Sequence, residues 1–495
     1  MIRDRQVLAD LKRRNGCEEP MNYPHKDPLL GLDLFFAMGK AMQSGQMLNL
    51  NKKLFETYGR TFQFKSWGTN VISTREPRNI QTVLALAFDN FGVEPVKQKE
   101  SGGSLMAKGI FTADGAIWAR SRALIRPTFA RPQISSFESL ELHVKQLLDC
   151  IPRDGTAIDL QPLFKRMFLD TSTEFLFGES VNCLSPETSF RSSQFLESFD
   201  TSMHGLAARM QLGKLAFIRG RDTHWKNAVR QVHEFIDSHV ERVLRQRKSH
   251  DTVDNNNVAG KGQSRRYILL DEMANETQDP MDLRYQLLHV FFPAHDATGI
   301  AVSDMLFHLA RDPNRWRKLQ SETLAVISSG PYSFELLKSM KYMRYVFNER
   351  IGLKQPGLRL HPLAGMVRRV CHKDTVLPLG GGVDGKAPIF VKRGTRVVMN
   401  IHALHRDQDL WGHDADDFRP ERWESARPVW EYLPFSGGPR ICPAQQMVFT
   451  EAAYIVARMT QEFSTVENVD PEPWTERFRM TVESRNGVKV RMICD

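Results

Sequence analysis

The chain has 495 residues, of which 41% are hydrophobic and 25% are charged, and its formal net charge is +9. This composition is typical of an ordinary globular protein, and the length exceeds what one hydrophobic core normally fills. Because Lys and Arg are dispersed rather than clustered, the positive charge favours an acidic partner or an anionic membrane surface and argues against a nucleic acid.

The six cysteines include no C-x-x-C pair, which argues against a cysteine-held zinc or iron–sulfur site. Their spacing indicates no disulfide framework and fits a reducing compartment. The N-terminal segment 1–40 is charged and lacks a signal-peptide core, and no stretch reaches the ~18 to 20 apolar residues of a membrane span. We therefore expect no transmembrane anchor in this sequence. The short apolar run Leu29–Met38 is compatible with either a membrane surface or the core.

Helical periodicity dominates from about residue 140 to 248, where Val229, Val232 and Ile236 share one helix face. Residues 251–266 are rich in Asn, Gly and Ser, have no apolar period, and are predicted to form a flexible surface loop.

A second long helix is predicted over residues 281–311, after the start signal Asp279-Pro280. At ~1.5 Å per residue it would extend ~45 Å and cross the molecule. Its apolar sequence is interrupted by His295, Asp296 and Thr298. Buried polar groups in the middle of a helix indicate function more than packing.

Residues 367–400 alternate short runs of Val, Ile and Thr with glycine-rich turns, which predicts strands and hairpins. A final helix is expected from Gln445 to Gln461. The predicted fold class is mainly α with a smaller β region.

The strongest chemical signal is the segment F-S-G-G-P-R-I-C-P-A at residues 435–444. Its glycines allow the backbone to approach a flat ligand closely, and Arg440 offers a cation to a carboxylate. Cys442 lies just before a helix N-terminus, where the helix dipole favours a thiolate. A thiolate on haem iron favours O–O cleavage. A glycine turn beside a buried core cysteine is the alternative interpretation.

This segment resembles the F-x-x-G-x-R-x-C-x-G haem loop of the cytochrome P-450 superfamily, with Ala444 in place of the last glycine. Residues 118–122 resemble the family's W-x-x-x-R, and residues 418–423 resemble its F-x-P-E-R-F. The segments occur in the family's order, and the resemblance covers nearly the whole chain from about Pro24. It implies the cytochrome P-450 fold, in which a long central helix lies over a haem packed against the helix of the cysteine loop.

The resemblance implies haem b (iron protoporphyrin IX) as the cofactor, with Cys442 as the axial metal ligand and NADPH acting indirectly through a reductase. It also implies one haem-thiolate domain over residues 41–495. The residues expected to bind the cofactor are Trp118, Arg122, Arg369, Phe435, Gly438, Arg440 and Cys442. The residues expected to line the substrate pocket are Phe291, Ala294, Leu363, Ala364 and Gly365.

The central-helix motif A/G-G-x-D/E-T-T is altered in this chain. Asp296 keeps the acid, but Ala297 replaces the threonine that normally helps deliver protons to bound oxygen. Thr298 offers a hydroxyl one position later, ~100° further round the helix. We predict that Asp296 and Thr298 are catalytic. A substrate hydroxyl or an ordered water could replace the missing group; a chemistry without oxygen activation and a purely structural Asp296 are the alternatives.

The family's E-x-x-R pair is split in this chain. Seven extra residues, 350–356, separate Glu349 from Arg359, although the pair normally shares one helix face and contacts a later arginine, here Arg422. Because Pro356 breaks a helix, residues 350–356 are interpreted as an insertion that loops out or as a mis-predicted exon boundary. If they loop out, Glu349, Arg359 and Arg422 form a buried structural triad.

The favoured function is a haem-thiolate monooxygenase that inserts one oxygen atom from O2 into a hydrophobic substrate. Residues 109–115 and 378–385 resemble the fungal n-alkane and fatty-acid hydroxylases, and related sequences serve in fungal secondary metabolism. The alternatives are an isomerase or dehydratase that needs no reductase, motivated by Ala297, and an inactive pseudoenzyme, motivated by residues 350–356. The implied partners are an NADPH-dependent reductase and cytochrome b5, with peripheral contact to the cytosolic face of the endoplasmic reticulum membrane and no nucleic acid.

Overall fold

The computed structural model describes residues 9–94, 105–130, 137–185, 190–253, 267–328, 330–349 and 359–494. The chain divides into two compact units that are interleaved along the sequence. Unit 1 is built from residues 1–94, 340–445 and 471–486, and unit 2 from residues 95–339, 446–470 and 487–495. The single domain expected over residues 41–495 stays a prediction.

Helices account for most of the regular structure in the described ranges. In chain order they are α1 (Leu32–Ser44), α2 (Met47–Tyr58), α3 (Pro77–Gln81), α4 (Gly115–Ile125), α5 (Glu138–Asp149), α6 (Leu160–Phe177), α7 (Phe190–Leu212), α8 (Thr223–Val253), α9 (Leu269–Glu276), α10 (Pro280–Ala294), α11 (Ala297–Leu309), α12 (Pro313–Ile327), α13 (Phe334–Ser339), α14 (Lys341–Glu349), α15 (Ile401–His405), α16 (Gln408–Trp411) and α17 (Gln445–Glu462). The strands are β1 (Met21–Asn22), β2 (Thr61–Ser66), β3 (Thr69–Thr74), β4 (Phe91–Gly92), β5 (Ile158–Asp159), β6 (Met366–Cys371), β7 (Thr375–Gly381), β8 (Ala387–Val391), β9 (Arg396–Asn400), β10 (Thr465–Asn468), β11 (Glu476–Phe478), β12 (Val482–Ser484) and β13 (Lys489–Ile493). The mainly helical fold with a smaller β region is confirmed.

The main sheet lies in unit 1 and has the strand order β1-β2-β3-β9-β6-β4. Strands β2 and β3 form an antiparallel hairpin, β3 pairs in parallel with β9, and β9 pairs antiparallel with β6. Strands β7 and β8 form a separate hairpin. Alternate apolar residues of these strands, such as Ile72, Val397 and Met399, pack into one buried cluster. The strands predicted over residues 367–400 are therefore present as β6 to β9.

Unit 2 is mainly helical and adds one small sheet of order β10-β13-β5. Helix α8 continues to Val253, so the loop predicted over residues 251–266 was placed three residues too early. The residues from 251 onward are polar and show no apolar period, so the sequence contained no sign that the helix continued. The rest of that loop lies outside the described residues, as do residues 350–356.

The single long helix predicted over residues 281–311 is wrong, because the structure divides it into α10 and α11. Pro293 lacks the N–H that would bond the His289 carbonyl, and its ring disturbs the turn before it. The helix ends at Ala294, and Asp296, with φ −129° and ψ −28°, precedes a new helix. The interruption places the polar residues of the predicted catalytic motif at a helix boundary.

Helix α11 packs closely against α6 at Gly299. A Cβ atom at that position would lie 3.2 Å from the Phe168 ring and 3.3 Å from the Phe164 main chain. In the described part of the chain, no helix combines the length and apolarity required to cross a bilayer.

Candidate haem-thiolate site

Cys442 lies in unit 1, in a tight loop that main-chain hydrogen bonds hold closed. The Cys442 N–H donates to the Phe435 carbonyl at 3.1 Å, and the Ile441 N–H donates to the Gly438 carbonyl at 3.0 Å. At the start of α17, the Gln445 side chain donates to the Cys442 carbonyl at 2.8 Å. Cys442 is half-buried and is not part of a disulfide. The sulfur is therefore presented from a fixed loop just before a helix.

The glycines of this loop are required by close packing within the protein. Gly438 has φ +68°, and a Cβ atom there would lie 1.9 Å from the Leu84 carbonyl oxygen. A Cβ atom on Gly437 would lie 2.8 Å from the Trp430 ring. Glycine is therefore required here by contacts with neighbouring protein segments. The approach of a flat ligand to the same backbone stays a prediction.

The residues around Cys442 fit a haem. Haem requires few ligands from the protein, because its macrocycle supplies the others. Across the described ranges, no group of three or more His, Cys, Asp or Glu side chains could hold a metal ion. Ile441, Pro443 and Ala444, beside Cys442, are apolar and half-exposed, as expected of residues that contact a flat apolar group.

The residues predicted to bind the haem propionates, three arginines and Trp118, occur in both units. In unit 1, the Arg440 guanidinium lies 5.9 Å from the centroid of the Phe88 ring. Arg369, on β6, is 8% exposed and donates to the Arg368 carbonyl at 2.9 Å. In unit 2, Trp118 and Arg122 are one turn apart on α4, and both are half-buried. Their contacts with haem propionates stay a prediction.

Glu349, Arg359 and Arg422 lie together in unit 1 in a buried charge cluster. Glu349 and Arg359 are fully buried, and Arg422 is 5% exposed. The Glu349 carboxylate accepts bonds from Arg359 Nη2 at 2.5 Å and Nε at 3.2 Å, and from Arg422 Nε at 2.7 Å. It also accepts from Trp423 Nε1 and from the Arg419 N–H, both at 2.9 Å. Arg359 therefore lies beside Glu349 although nine residues separate them in sequence.

Both arginines use their remaining N–H groups on main-chain carbonyls, and Arg422 Nη1 also donates to the Asp414 carboxylate at 3.1 Å. Arg359 donates to the carbonyls of His405 at 3.0 Å and Asp417 at 2.9 Å. Arg422 donates to the Asp414 carbonyl at 2.8 Å. Burial opposes the charge of Arg422, but Glu349 and Asp414 outweigh it and raise the pKa of the guanidinium. The cluster is therefore saturated with hydrogen bonds, which a buried charge requires.

The same region is connected to the cysteine loop. The Tyr432 hydroxyl donates to the Asn348 carbonyl at 3.0 Å, next to Glu349. The Leu433 N–H donates to His405 Nε2 at 2.8 Å. Leu433 begins the turn that leads into the loop. His405 therefore contacts both the charge cluster, through Arg359, and the entry to the cysteine loop.

In unit 2, the Thr298 hydroxyl is bonded to an acid that no sequence motif had indicated. Thr298 Oγ1 donates to Glu451 Oε2 on α17 at 3.2 Å. Glu451 keeps some solvent exposure, but its carboxyl group lies among protein atoms, and this burial raises its pKa to about 8. Asp296 is 9% exposed, with Oδ2 at 3.9 Å from His295 Nε2. An acid within the apolar run of the final helix was the sequence signal for Glu451.

The predicted pocket residues also fall in both units. In unit 2, Phe291 is fully buried, 4.8 Å from the ring of Phe199, and Ala294 ends α10 half-buried. In unit 1, residues 363–365 form the turn before β6, in which the Gly365 carbonyl accepts from the His402 N–H at 3.1 Å. Their role in binding substrate stays a prediction.

Comparisons with known proteins agree with this chemistry. The family model described as Cytochrome P-450 matches residues 27–491. The chain is 38% identical to the cytochrome P-450 monooxygenase fsdH of Fusarium heterosporum, over 97% of this chain and 83% of that protein. It is 38% identical to the cytochrome P-450 monooxygenase apdE of Emericella nidulans, over 98% of this chain and 91% of that protein. It is 36% identical to cytochrome P-450 52A12 of Debaryomyces hansenii, over 97% of this chain and 93% of that protein.

The charge cluster predicts a large loss of stability in Glu349→Gln. This substitution keeps the shape of the side chain but removes the counter-charge of Arg359 and one of the two counter-charges of Arg422. We expect the free energy of unfolding, measured by urea denaturation of the haem-loaded protein, to fall by about 3 to 5 kcal/mol.

The matched control is Arg419→Ala. The Arg419 side chain is 52% exposed and pairs with Asp414, while its bond to Glu349 comes from the main chain and survives the substitution. We expect a loss of at most about 1 kcal/mol. Equal losses in Glu349→Gln and Arg419→Ala would contradict the importance of the buried cluster.

The raised pKa of Glu451 predicts a specific dependence of stability on pH. The folded protein holds this proton up to about pH 8, whereas the unfolded chain releases it near its ordinary value. The folded form therefore binds more protons between these two pKa values, and stability must fall as the pH rises through that window, by at most about 1.4 kcal/mol per pH unit. Glu451→Gln should remove this part of the slope of unfolding free energy against pH.

Glu462→Gln is the control, because Glu462 ends the same helix and forms a partly exposed pair with Arg153. In Glu462→Gln, the unfolding free energy should depend on pH as it does in the unchanged chain. A slope that survives in Glu451→Gln would assign the titration to another group.

Proposed function

Because the chain belongs to the cytochrome P-450 family of haem-thiolate monooxygenases, we propose that it inserts one oxygen atom from O2 into a hydrophobic substrate. The proposed substrate is either alkane-like or fatty-acid-like, or an intermediate of fungal secondary metabolism, and electrons come from NADPH through a reductase. The observation that carries this proposal is the fixed loop that presents Cys442 before α17.

Haem with a thiolate ligand supplies the binding of O2 and the cleavage of its O–O bond. In the proposal, the Cys442 thiolate would hold the haem iron, and Phe435 and Gly438 would shape the loop around it. The residues proposed to bind the propionates are Arg440, Arg369, Trp118 and Arg122. The main-chain bonds of the loop fix the sulfur, so that little reorganisation is required when the cofactor binds.

We propose that Asp296, Thr298 and Glu451 handle the protons that the reaction consumes. Since burial raises the pKa of Glu451 to about 8, its carboxyl group is mostly protonated at neutral pH. Thr298 is hydrogen-bonded to that group and could therefore pass a proton along the bond. Asp296 supplies a second acid at the boundary between α10 and α11. This arrangement takes over the role of the hydroxyl that Ala297 lacks.

Two observations bear on the other functions. The isomerase or dehydratase is motivated by Ala297, but the hydrogen-bonded acid beside Thr298 supports a reaction that consumes protons. The pseudoenzyme is motivated by the split E-x-x-R pair. The contacts of Glu349 with Arg359 and Arg422 remove that motive, since the ion cluster is complete despite residues 350–356.

The proposed partners are an NADPH-dependent reductase and cytochrome b5, and the net charge of +9 suits acidic electron donors. The proposed location is the cytosolic face of the endoplasmic reticulum membrane. Exposed apolar side chains support peripheral contact with lipid: Leu29, Leu30 and Phe36 in unit 1, and Phe217 and Ile218 in unit 2.

Replacement of the proposed haem ligand tests the haem assignment. Cys442→Ser should lose the absorbance band that a thiolate-ligated ferrous haem gives with CO, because a serine hydroxyl is a far weaker electron donor than a thiolate. The control is Cys371→Ser, at a buried cysteine of β6 whose sulfur bonds the Lys373 carbonyl. A normal band in Cys442→Ser would assign the ligand to another residue.

The proton pathway is tested by the coupling of NADPH oxidation to product formation. Asp296→Asn and Glu451→Gln should slow product formation by about 10- to 100-fold and divert electrons to peroxide, because proton transfer by a positioned acid contributes rate factors of that order or more. Ala297→Thr should improve coupling, or leave it unchanged if a substrate hydroxyl already acts there.

Asp282→Asn is the control, because Asp282 lies at the other end of α10 and pairs with the exposed Arg120. Its coupling should equal that of the unchanged enzyme. Unaltered turnover and coupling in both Asp296→Asn and Glu451→Gln would remove these acids from the mechanism.

A further inference from the structure

His289, on α10, is a buried imidazole without a hydrogen-bond partner in the described part of the chain. It is 1% exposed, and neither ring nitrogen makes a hydrogen bond. The Met106 main chain lies near the ring and favours its protonated form, but does not reach hydrogen-bond geometry. Buried polar side chains nearly always have a partner, so a ring left without one requires an explanation.

The neighbouring segment makes room for the ring without bonding it. A Cβ atom on Gly109 would lie 2.1 Å from His289 Cδ2 and 2.3 Å from Nε2, so only glycine fits there. The main-chain groups of Gly109 are already used. Its N–H donates to Thr112 Oγ1 at 3.0 Å, and its carbonyl accepts from the N–H groups of Thr112 and Ala113. Gly109 therefore has no main-chain bond left to offer the imidazole.

An aromatic side chain covers the ring. Phe111 stacks on His289 with ring centroids 5.8 Å apart, and the Phe292 ring meets Phe111 edge-on at 5.9 Å. Phe111 is 43% exposed, so it is the part of this cover that solvent reaches. Phe111 is therefore the side chain that a ligand approaching the imidazole from this side would have to displace.

We propose that His289 binds an uncharged hydroxyl or amide group of the substrate, so that the substrate is an oxygenated apolar molecule rather than an unsubstituted alkane or an ionised fatty acid. This inference rests on the proposed monooxygenase function and selects between the substrate classes left open there. His289 is a specificity-determining residue in this proposal, because it orients the substrate and takes no part in the oxygen chemistry.

The charge state of the ring supports an uncharged ligand group. Burial lowers the pKa of His289 to about 4, so the imidazole is neutral at physiological pH and has one donor and one acceptor. A hydroxyl or amide group matches both. A carboxylate would offer only acceptors and would lose its solvation without meeting a cation. An alkane would leave both nitrogens unsatisfied.

The first test separates a binding role from a structural one. His289→Leu replaces an unsatisfied polar ring with an apolar side chain of similar size, so the melting temperature of the haem-loaded chain should stay the same or rise. His233→Leu is the matched control. His233 bonds the Leu105 carbonyl at 2.9 Å, so its loss should lower the melting temperature by several degrees. A comparable fall in His289→Leu would make His289 structural and overturn the proposal.

The second test measures ligand preference by calorimetry on the haem-loaded chain. The probes are matched pairs that differ by one hydroxyl, dodecane with dodecanol and decalin with its monohydroxy derivative, together with dodecanoate. We expect the hydroxyl member of a pair to bind at least about tenfold more tightly, His289→Leu to abolish this preference, and His289→Gln to keep part of it. The proposal would be overturned if no pair showed a preference for the hydroxyl member, or if that preference survived in His289→Leu. It would also be overturned if dodecanoate bound most tightly of all the probes.

The CO-difference spectrum of the same samples distinguishes a failure of the role of His289 from a failure of the haem-thiolate function. If the thiolate band is present and the hydroxyl preference is absent, only the role of His289 is wrong. If the band itself is absent, the proposed haem-thiolate function fails.

Discussion

The pairing of one buried carboxylate with two buried guanidinium groups is the constraint on which unit 1 depends. Taking Glu349, Arg359 and Arg422 out of water is costly, and the cost is offset only when every charge meets a partner. Their contacts join the end of α14 to the segment that contains Trp423. The chain next forms the cysteine loop, whose entry is bonded to His405 and whose preceding tyrosine is bonded to the carbonyl beside Glu349. The position of Cys442 therefore depends on a charge cluster that takes no part in the chemistry.

This constraint explains why the split motif does not destroy the cluster. A helical E-x-x-R spacing is one way to place an arginine beside a glutamate, but the energetic requirement concerns the contact and not the spacing. Arg359 meets Glu349 with two N–H groups and satisfies the others on main-chain carbonyls. Residues 350–356 lie between two anchored ends, because Glu349 and Arg359 are both fully buried. The fold therefore tolerates a longer connection as long as both ends reach the same place.

The sequence was sufficient where the signal is local. The cysteine loop, strands β6 to β9 and helix α17 follow from glycines, alternation and apolar periodicity within short windows. Prediction from the sequence failed where a distant partner or a single backbone group determines the local structure. Glu451 could not be linked to Thr298, because the two are 153 residues apart in sequence. The central helix is divided near Pro293, which cannot donate a main-chain hydrogen bond. The strong apolar pattern on both sides of Pro293 nevertheless predicted one continuous helix. The missing partner of His289 is visible only in three dimensions.

His289 and Ala297 lie on opposite sides of the break between α10 and α11. Because the backbone departs from a helix there, helical spacing does not fix the distance between the two side chains. In the proposals above, His289 orients the substrate, whereas Thr298 with its bond to Glu451 supplies a hydroxyl from the protein. The two roles use different groups, so substitutions at the two positions should act on different quantities: hydroxyl preference for His289, and coupling for the residues around Ala297.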